Sequence, residues 1–153
     1  MLCQQNRRKD FNVMRTKLLY GAYGTGNLGD DLLLKAALKH HRAISNDFHI
    51  KVVSYGKPYL EEEINFIDHD DFIANPAKYI SAQTDLHFCG GGLFWAPTHC
   101  DDMLKVAAYQ KSCGGSVHIE RIGTEGLHWN PDAVKELFLL SDSNSGRDKM
   151  VAD

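Results

Sequence analysis

Two glycine-rich segments hold the residues whose types and spacing can do chemistry. Gly24-Thr25-Gly26-Asn27-Leu28-Gly29-Asp30 formally matches GxGxxG between an apolar run and a helical stretch. Such a loop offers backbone amides and the positive end of a helix to an anion. It departs from a dinucleotide loop in carrying Asn27, Asp30 and Asp31. A carboxylate repels a diphosphate, whereas Asn and Asp side chains suit hydroxyl recognition. A nicotinamide dinucleotide also needs an acidic residue about 20 residues on, at the end of the second strand, to hold its ribose. Ser54, Tyr55 and Lys57 stand there instead. Without any ligand, the same loop reads as a tight strand-to-helix turn, with glycines at positive φ and Asp30 or Asp31 as the helix cap.

The second segment is Cys89-Gly90-Gly91-Gly92-Leu93-Phe94-Trp95. Three glycines after a buried strand leave the backbone bare for close approach of a ligand. Trp95, like Trp129, follows a glycine-bearing loop and is placed either to stack on a sugar ring or to pack over the core.

The elements that must position these loops alternate between short apolar runs and helical stretches, the pattern of parallel strands joined by crossover helices. The expected fold class is α/β, a Rossmann-like three-layer α/β/α domain with a mainly parallel sheet. Strands are predicted at Lys17–Tyr23, His49–Tyr55, Ile64–Ile67, Thr84–Cys89 and Ser116–Ile122. The first helix presents Leu34, Ala37, Leu38 and His41 on one face. Asn75-Pro76 and Asn130-Pro131 are helix start signals, and Gly114 can end the helix around Leu104–Cys113. In a doubly wound sheet ordered 3-2-1-4-5, strands one and four are neighbours, so both glycine loops line one crevice at their carboxyl ends. Residues 1–13 form an irregular leader, and the domain runs over 14–153. After Asp142 the chain is expected to stop part-way through a unit, truncated before a second domain.

The paired loops resemble those of the polysaccharide pyruvyl transferases, which combine a G-x-x-G-x-G-N-x-G-D loop after strand one with D-x-x-x-x-G-G-G after a later strand. Gly21 to Asp30 and Asp85 to Gly92 match the two motifs in order and spacing. The resemblance implies one half of a two-domain, glycosyltransferase-B-like transferase. Such an enzyme moves pyruvate from phosphoenolpyruvate onto sugar hydroxyls as a ketal, in exopolysaccharide biosynthesis. It implies phosphoenolpyruvate as donor substrate, a saccharide acceptor, no further cofactor, and a second domain or chain that completes the cleft. Asp30 and Asp31 are then the candidate catalytic residues. Gly24, Gly26, Asn27, Gly29, Gly90, Gly91, Gly92, Trp95, Glu125 and Arg147 are the candidate substrate-binding residues. Glu125 stands where the family more often has glutamine. Arg147, followed by Asp148, suits the carboxylate or phosphate of the donor through paired hydrogen bonds.

Composition narrows the alternatives. With 43% hydrophobic and 24% charged residues the chain has the makings of a folded core. A net charge of -3 gives no excess of cations for a phosphate backbone, so nucleic acid is not an expected partner. No run reaches the roughly 20 apolar residues of a membrane span, and the start lacks a signal-peptide core, so the expected location is cytoplasmic. Cys3, Cys89, Cys100 and Cys113 are irregularly spaced and read as reduced thiols. Cys89, His99, Cys100 and Cys113 lack the compact pair of a zinc chelate, so no metal ligand is expected. His87 and His118 lie inside predicted strands and read as packed histidines, and the acidic run from Glu61 to Asp71 reads as a solvated surface. Two other functions compete with the transferase. One is a truncated, non-catalytic remnant that binds sugar or anion, motivated by the end at Asp153. The other is a nucleotide-dependent Rossmann enzyme, motivated by the formal GxGxxG match.

Overall fold

The computed structural model describes residues 14–123 and 128–146. Six strands form one all-parallel sheet: β1 (Arg15–Tyr20), β2 (Phe48–Ser54), β3 (Asn65–Asp68), β4 (Thr84–Gly91), β5 (Ser116–Ile122) and β6 (Ser143–Gly146). Their spatial order is β3-β2-β1-β4-β5-β6, the doubly wound arrangement with β1 and β4 side by side at its centre. Four α-helices complete a Rossmann-like three-layer domain: α1 (Leu28–Ile44), α2 (His69–Ala74), α3 (Pro97–Ser112) and α4 (Pro131–Leu140).

Alternation along the strands sends neighbouring residues to opposite faces, and each face has its own core. Leu18, Tyr20, Val53, Phe88 and Ile119 pack with Phe72 of α2, Met103 and Val106 of α3, and Leu137 of α4. Leu19, Val52 and Cys89 pack on the other side against Leu34 and Leu38 of α1. Burial on both faces is why the central strands read as nearly continuous apolar runs.

Several local expectations are corrected by long-range partners. Asn27, and neither aspartate, caps α1, its Oδ1 accepting from the Gly29 amide at 2.9 Å. The helix expected from Asn75 shrinks to a single 3-10 turn over Pro76–Lys78. Asn75 makes no capping bond there, because its amide turns back to donate to Asp71 at 2.8 Å. The acidic stretch is exposed as expected at Glu61, Glu62, Glu63, Asp68 and Asp70, and its end also forms α2, which Asp68 caps by accepting from the Asp71 amide. The chain does not break off before another strand: β6 pairs in parallel with β5. It has no apolar residue to drive it, and Asp142 fixes its register by exchanging backbone and side-chain bonds with Val117. Cys89 and Cys100 are free thiols, whereas Cys113 is disulfide-bonded, which corrects the expectation of a reduced thiol there. Among the described residues no helix is long and apolar enough to cross a membrane.

Candidate functional site

Both glycine loops leave the carboxyl edge of the sheet from adjacent strands, and they meet. A Cβ built on Gly91, whose φ is +69°, would lie 2.7 Å from Oδ1 of Asp30. Side chains avoid that φ, so only glycine lets the first turn of α1 settle this close to the end of β4. Gly90 (φ +68°) faces Leu33 in the same way, and Gly123 donates its amide to the Gly91 carbonyl at 3.1 Å.

The two aspartates have separate roles. Asp31 is 1% exposed, and both of its oxygens accept backbone amides, from Gly24 at 2.9 Å and from Tyr59 at 2.9 Å. It ties the β1–α1 loop to the β2–β3 loop, where Gly24 (φ +72°) passes so close to Gly56 that a Cβ would overlap its carbonyl. Asp30 is half-buried at the junction of the two glycine loops. The amides of Gly24 and Gly29 are thus engaged by Asp31 and Asn27 and are not available to an anion as the bare loop pattern implies. Gly26 is exposed, with open space where a side chain would stand.

Beside these loops, four residues that sequence reasoning did not group together meet from three strand ends and one helix start. Tyr20 ends β1, Tyr55 follows β2, His69 follows β3, and His99 sits in the first turn of α3. The Tyr20 hydroxyl is 2.9 Å from His69 Nε2, and the Tyr55 hydroxyl is 3.0 Å from His99 Nδ1. Tyr55 stacks on His69 with ring centroids 4.0 Å apart. Asp70 lies 3.0 Å from His69 Nδ1 and takes its proton as a hydrogen bond, which leaves Nε2 to accept from Tyr20. Burial pushes the Tyr20 and Tyr55 hydroxyls up, Tyr55 to about 12. Burial, and then the neighbouring His69, pushes His99 down to about 4. His99 is therefore neutral at pH 7, and its buried Nε2 has no hydrogen-bond partner. Trp95 is 56% exposed and lies over His99, with centroids 4.9 Å apart.

Comparison with protein-family models, curated proteins and solved structures returned no match. The reading of the site therefore rests on its residues.

Of the residues expected at the site, Asp30 and Gly91 are brought together, Gly90 and half-buried Gly92 continue the same loop, and Trp95 joins the histidine–tyrosine group. Glu125, Arg147 and Asp148 lie outside the described residues. Asp85, the first residue of the second motif, sits near the amino end of β4, bonded to Arg15 and Ser116, so it ties strands together away from the loops. Trp129 is exposed and lies beside His128, centroids 4.9 Å apart. A cleft of about 320 Å³ opens on the α1 side, lined by Leu33, Cys89, Gly90, Glu120, Arg121 and Asn144 among others; of the expected residues that are described, only Gly90 borders it. The four residues weighed as a zinc set do not assemble. Among the described residues the group that gathers potential ligand atoms is His41, Cys89 and Glu120. One signal was present in the sequence: Tyr55 ends one predicted strand and His69 lies two residues beyond another, near the carboxyl edge where a doubly wound sheet keeps its ligands.

Proposed function

We propose that this chain is the Rossmann-like domain of a polysaccharide pyruvyl transferase-type enzyme, the amino-terminal half of a glycosyltransferase-B-like fold. Phosphoenolpyruvate and a saccharide meet at the carboxyl ends of β1 and β4. The observation that carries this reading is the contact of the two motif loops, with Asp30 set over Gly91. Nothing in local turn chemistry requires glycine loops 60-odd residues apart to be shaped to each other, roughly as a shared ligand site demands.

Ketal formation adds two sugar hydroxyls to C2 of phosphoenolpyruvate. The methylene carbon gains a proton and becomes methyl, and phosphate leaves with the second hydroxyl proton. Asp30 is the carboxylate placed to hold an acceptor hydroxyl and take its proton. Asp31 is withdrawn from catalysis, since both its oxygens are spent on backbone amides. His99, neutral and accepting from Tyr55 at Nδ1, carries its proton on the unpartnered Nε2 and is a hydrogen-bond donor beside the loops. Arg147 supplies the cation for the donor. The engaged amides of Gly24 and Gly29 favour a saccharide over a pyrophosphate at the first loop.

The test is a titration of the chain with phosphoenolpyruvate and, separately, with pyruvylation-competent sugars such as galactose, followed by amide NMR. Saturable shifts at Gly26, Asp30 and Gly90 to Gly92, lost in Asp30→Asn, support the reading. A folded sample whose loops respond to neither ligand overturns it, and a response to a dinucleotide alone assigns the crevice to a nucleotide enzyme.

A further inference from the structure

We propose that the α1 face of the sheet carries a transition-metal site, suited to Zn²⁺, formed by His41, Cys89 and Glu120. It is independent of the crevice reading. The three residues come from α1, β4 and β5, and one potential ligand atom from each lies within 4.8 Å of the others. His41 Nε2 is 3.1 Å from Glu120 Oε2, and Cys89 Sγ is 3.7 Å from the same oxygen. Ligands bonded to zinc at about 2.0–2.3 Å in a tetrahedron stand roughly 3.3–3.8 Å apart, so the two distances to Glu120 already lie near that spacing and the third, within 4.8 Å, needs only a small closure. One imidazole nitrogen, one thiolate and one carboxylate form a donor set for zinc, cobalt or a similar ion rather than for calcium or magnesium.

The surroundings fit an ion. His87 Nδ1 lies 2.8 Å from Glu120 Oε1, so it orients the carboxylate and leaves Oε2 for the metal, as outer-shell partners do. Cys89 and Glu120 line the cleft of about 320 Å³ between α1 and the β5–β6 edge. The cleft gives an entry path and a fourth coordination position open to water or an exogenous anion. Arg121, at φ 55°, borders it where the pairing of β5 with β6 shifts between Glu120 and Ile122, and bulges of this kind re-aim side chains at functional sites. In the ion-free arrangement Lys17 Nζ lies 3.3 Å from His41 Nδ1, donating to it while Nε2–H donates to Glu120. Metal uptake exchanges the tautomer: the proton moves to Nδ1, the half-exposed lysine turns to solvent, and the Cys89 proton is released.

The experiment uses the untagged chain, stripped with chelator and dialysed. Titration with Co²⁺ and with Zn²⁺ is expected to saturate at one ion per chain. The cobalt form should show the thiolate-to-metal charge-transfer band and intense ligand-field absorption of a four-coordinate site. Cys89→Ser should remove the charge-transfer band, and His41→Gln and Glu120→Gln should each weaken Zn²⁺ binding at least 10-fold. The wild-type spectrum reads thiolate ligation without depending on a variant's folding. Absence of the band in the wild-type protein, or its survival in Cys89→Ser, overturns the site.

Discussion

Asp30 Oδ1 stands where a side chain on Gly91 would have to go, 2.7 Å from the position of its Cβ. The contact joins the start of α1 to the end of β4 and makes Gly91 a position that no larger residue fills without moving the aspartate. Gly91→Ala combines this clash with a φ of +69°, whereas Gly26→Ala meets a φ of +90° in open space. Both lose about 1–2 kcal/mol to backbone strain, and Gly91→Ala is expected to lose at least about 1 kcal/mol more. Urea denaturation of the two variants checks the order.

Asp31 is a staple between loops. Replacing it by Asn turns one acceptor into a donor against a backbone amide and removes the charge from both bonds. Asp31→Asn is expected to cost about 2–3 kcal/mol, a fall of roughly 4–12 °C in Tm for a chain of this size. A thermal melt that matches the wild type would show that the loop junction holds without the carboxylate.

His99 links acidity to folding. Its pKa in the fold, about 4, lies below the ordinary value near 6.5. Between these values the unfolded chain binds more protons than the folded one, so stability rises with pH across the window. The contribution is present above about pH 6.5 and lost as pH falls through 4, at most about 3 kcal/mol in all. His99→Asn, which keeps an acceptor for Tyr55, should flatten the stability profile between pH 4 and 6.5, as measured by denaturant midpoints. The same slope in variant and wild type would assign the pH dependence to other groups.

Trp95 is exposed and lies over His99, so it contributes little to the core. Trp95→Ala should change stability by less than about 0.5 kcal/mol. It should weaken saccharide binding roughly 2- to 10-fold, the value of one stacked ring. Tryptophan fluorescence during a sugar titration reads both, since the Trp95 response should vanish while Trp129 remains.

Local sequence determined the alternation of strands and helices, because periodic burial of one face or two is a short-range pattern. Strand β5 spans the predicted Ser116–Ile122, and α4 starts at the predicted Asn130-Pro131 signal. The two glycine loops were legible for the same reason, since their backbone demands glycine wherever the chain turns from strand to helix. Only the tertiary structure decided which side chains meet. Asp31 reaches the amide of Tyr59, 28 residues on, and His41 meets Glu120 across 79 residues. Tyr55 joins His99 across 44. These partners are set by strand order and by the face each residue takes, and no local window contains both. Capping followed the same rule: Asp30 and Asp31 were the cap candidates in sequence, whereas the fold gives the cap to Asn27, sets Asp30 against Gly91 and buries Asp31 as a staple.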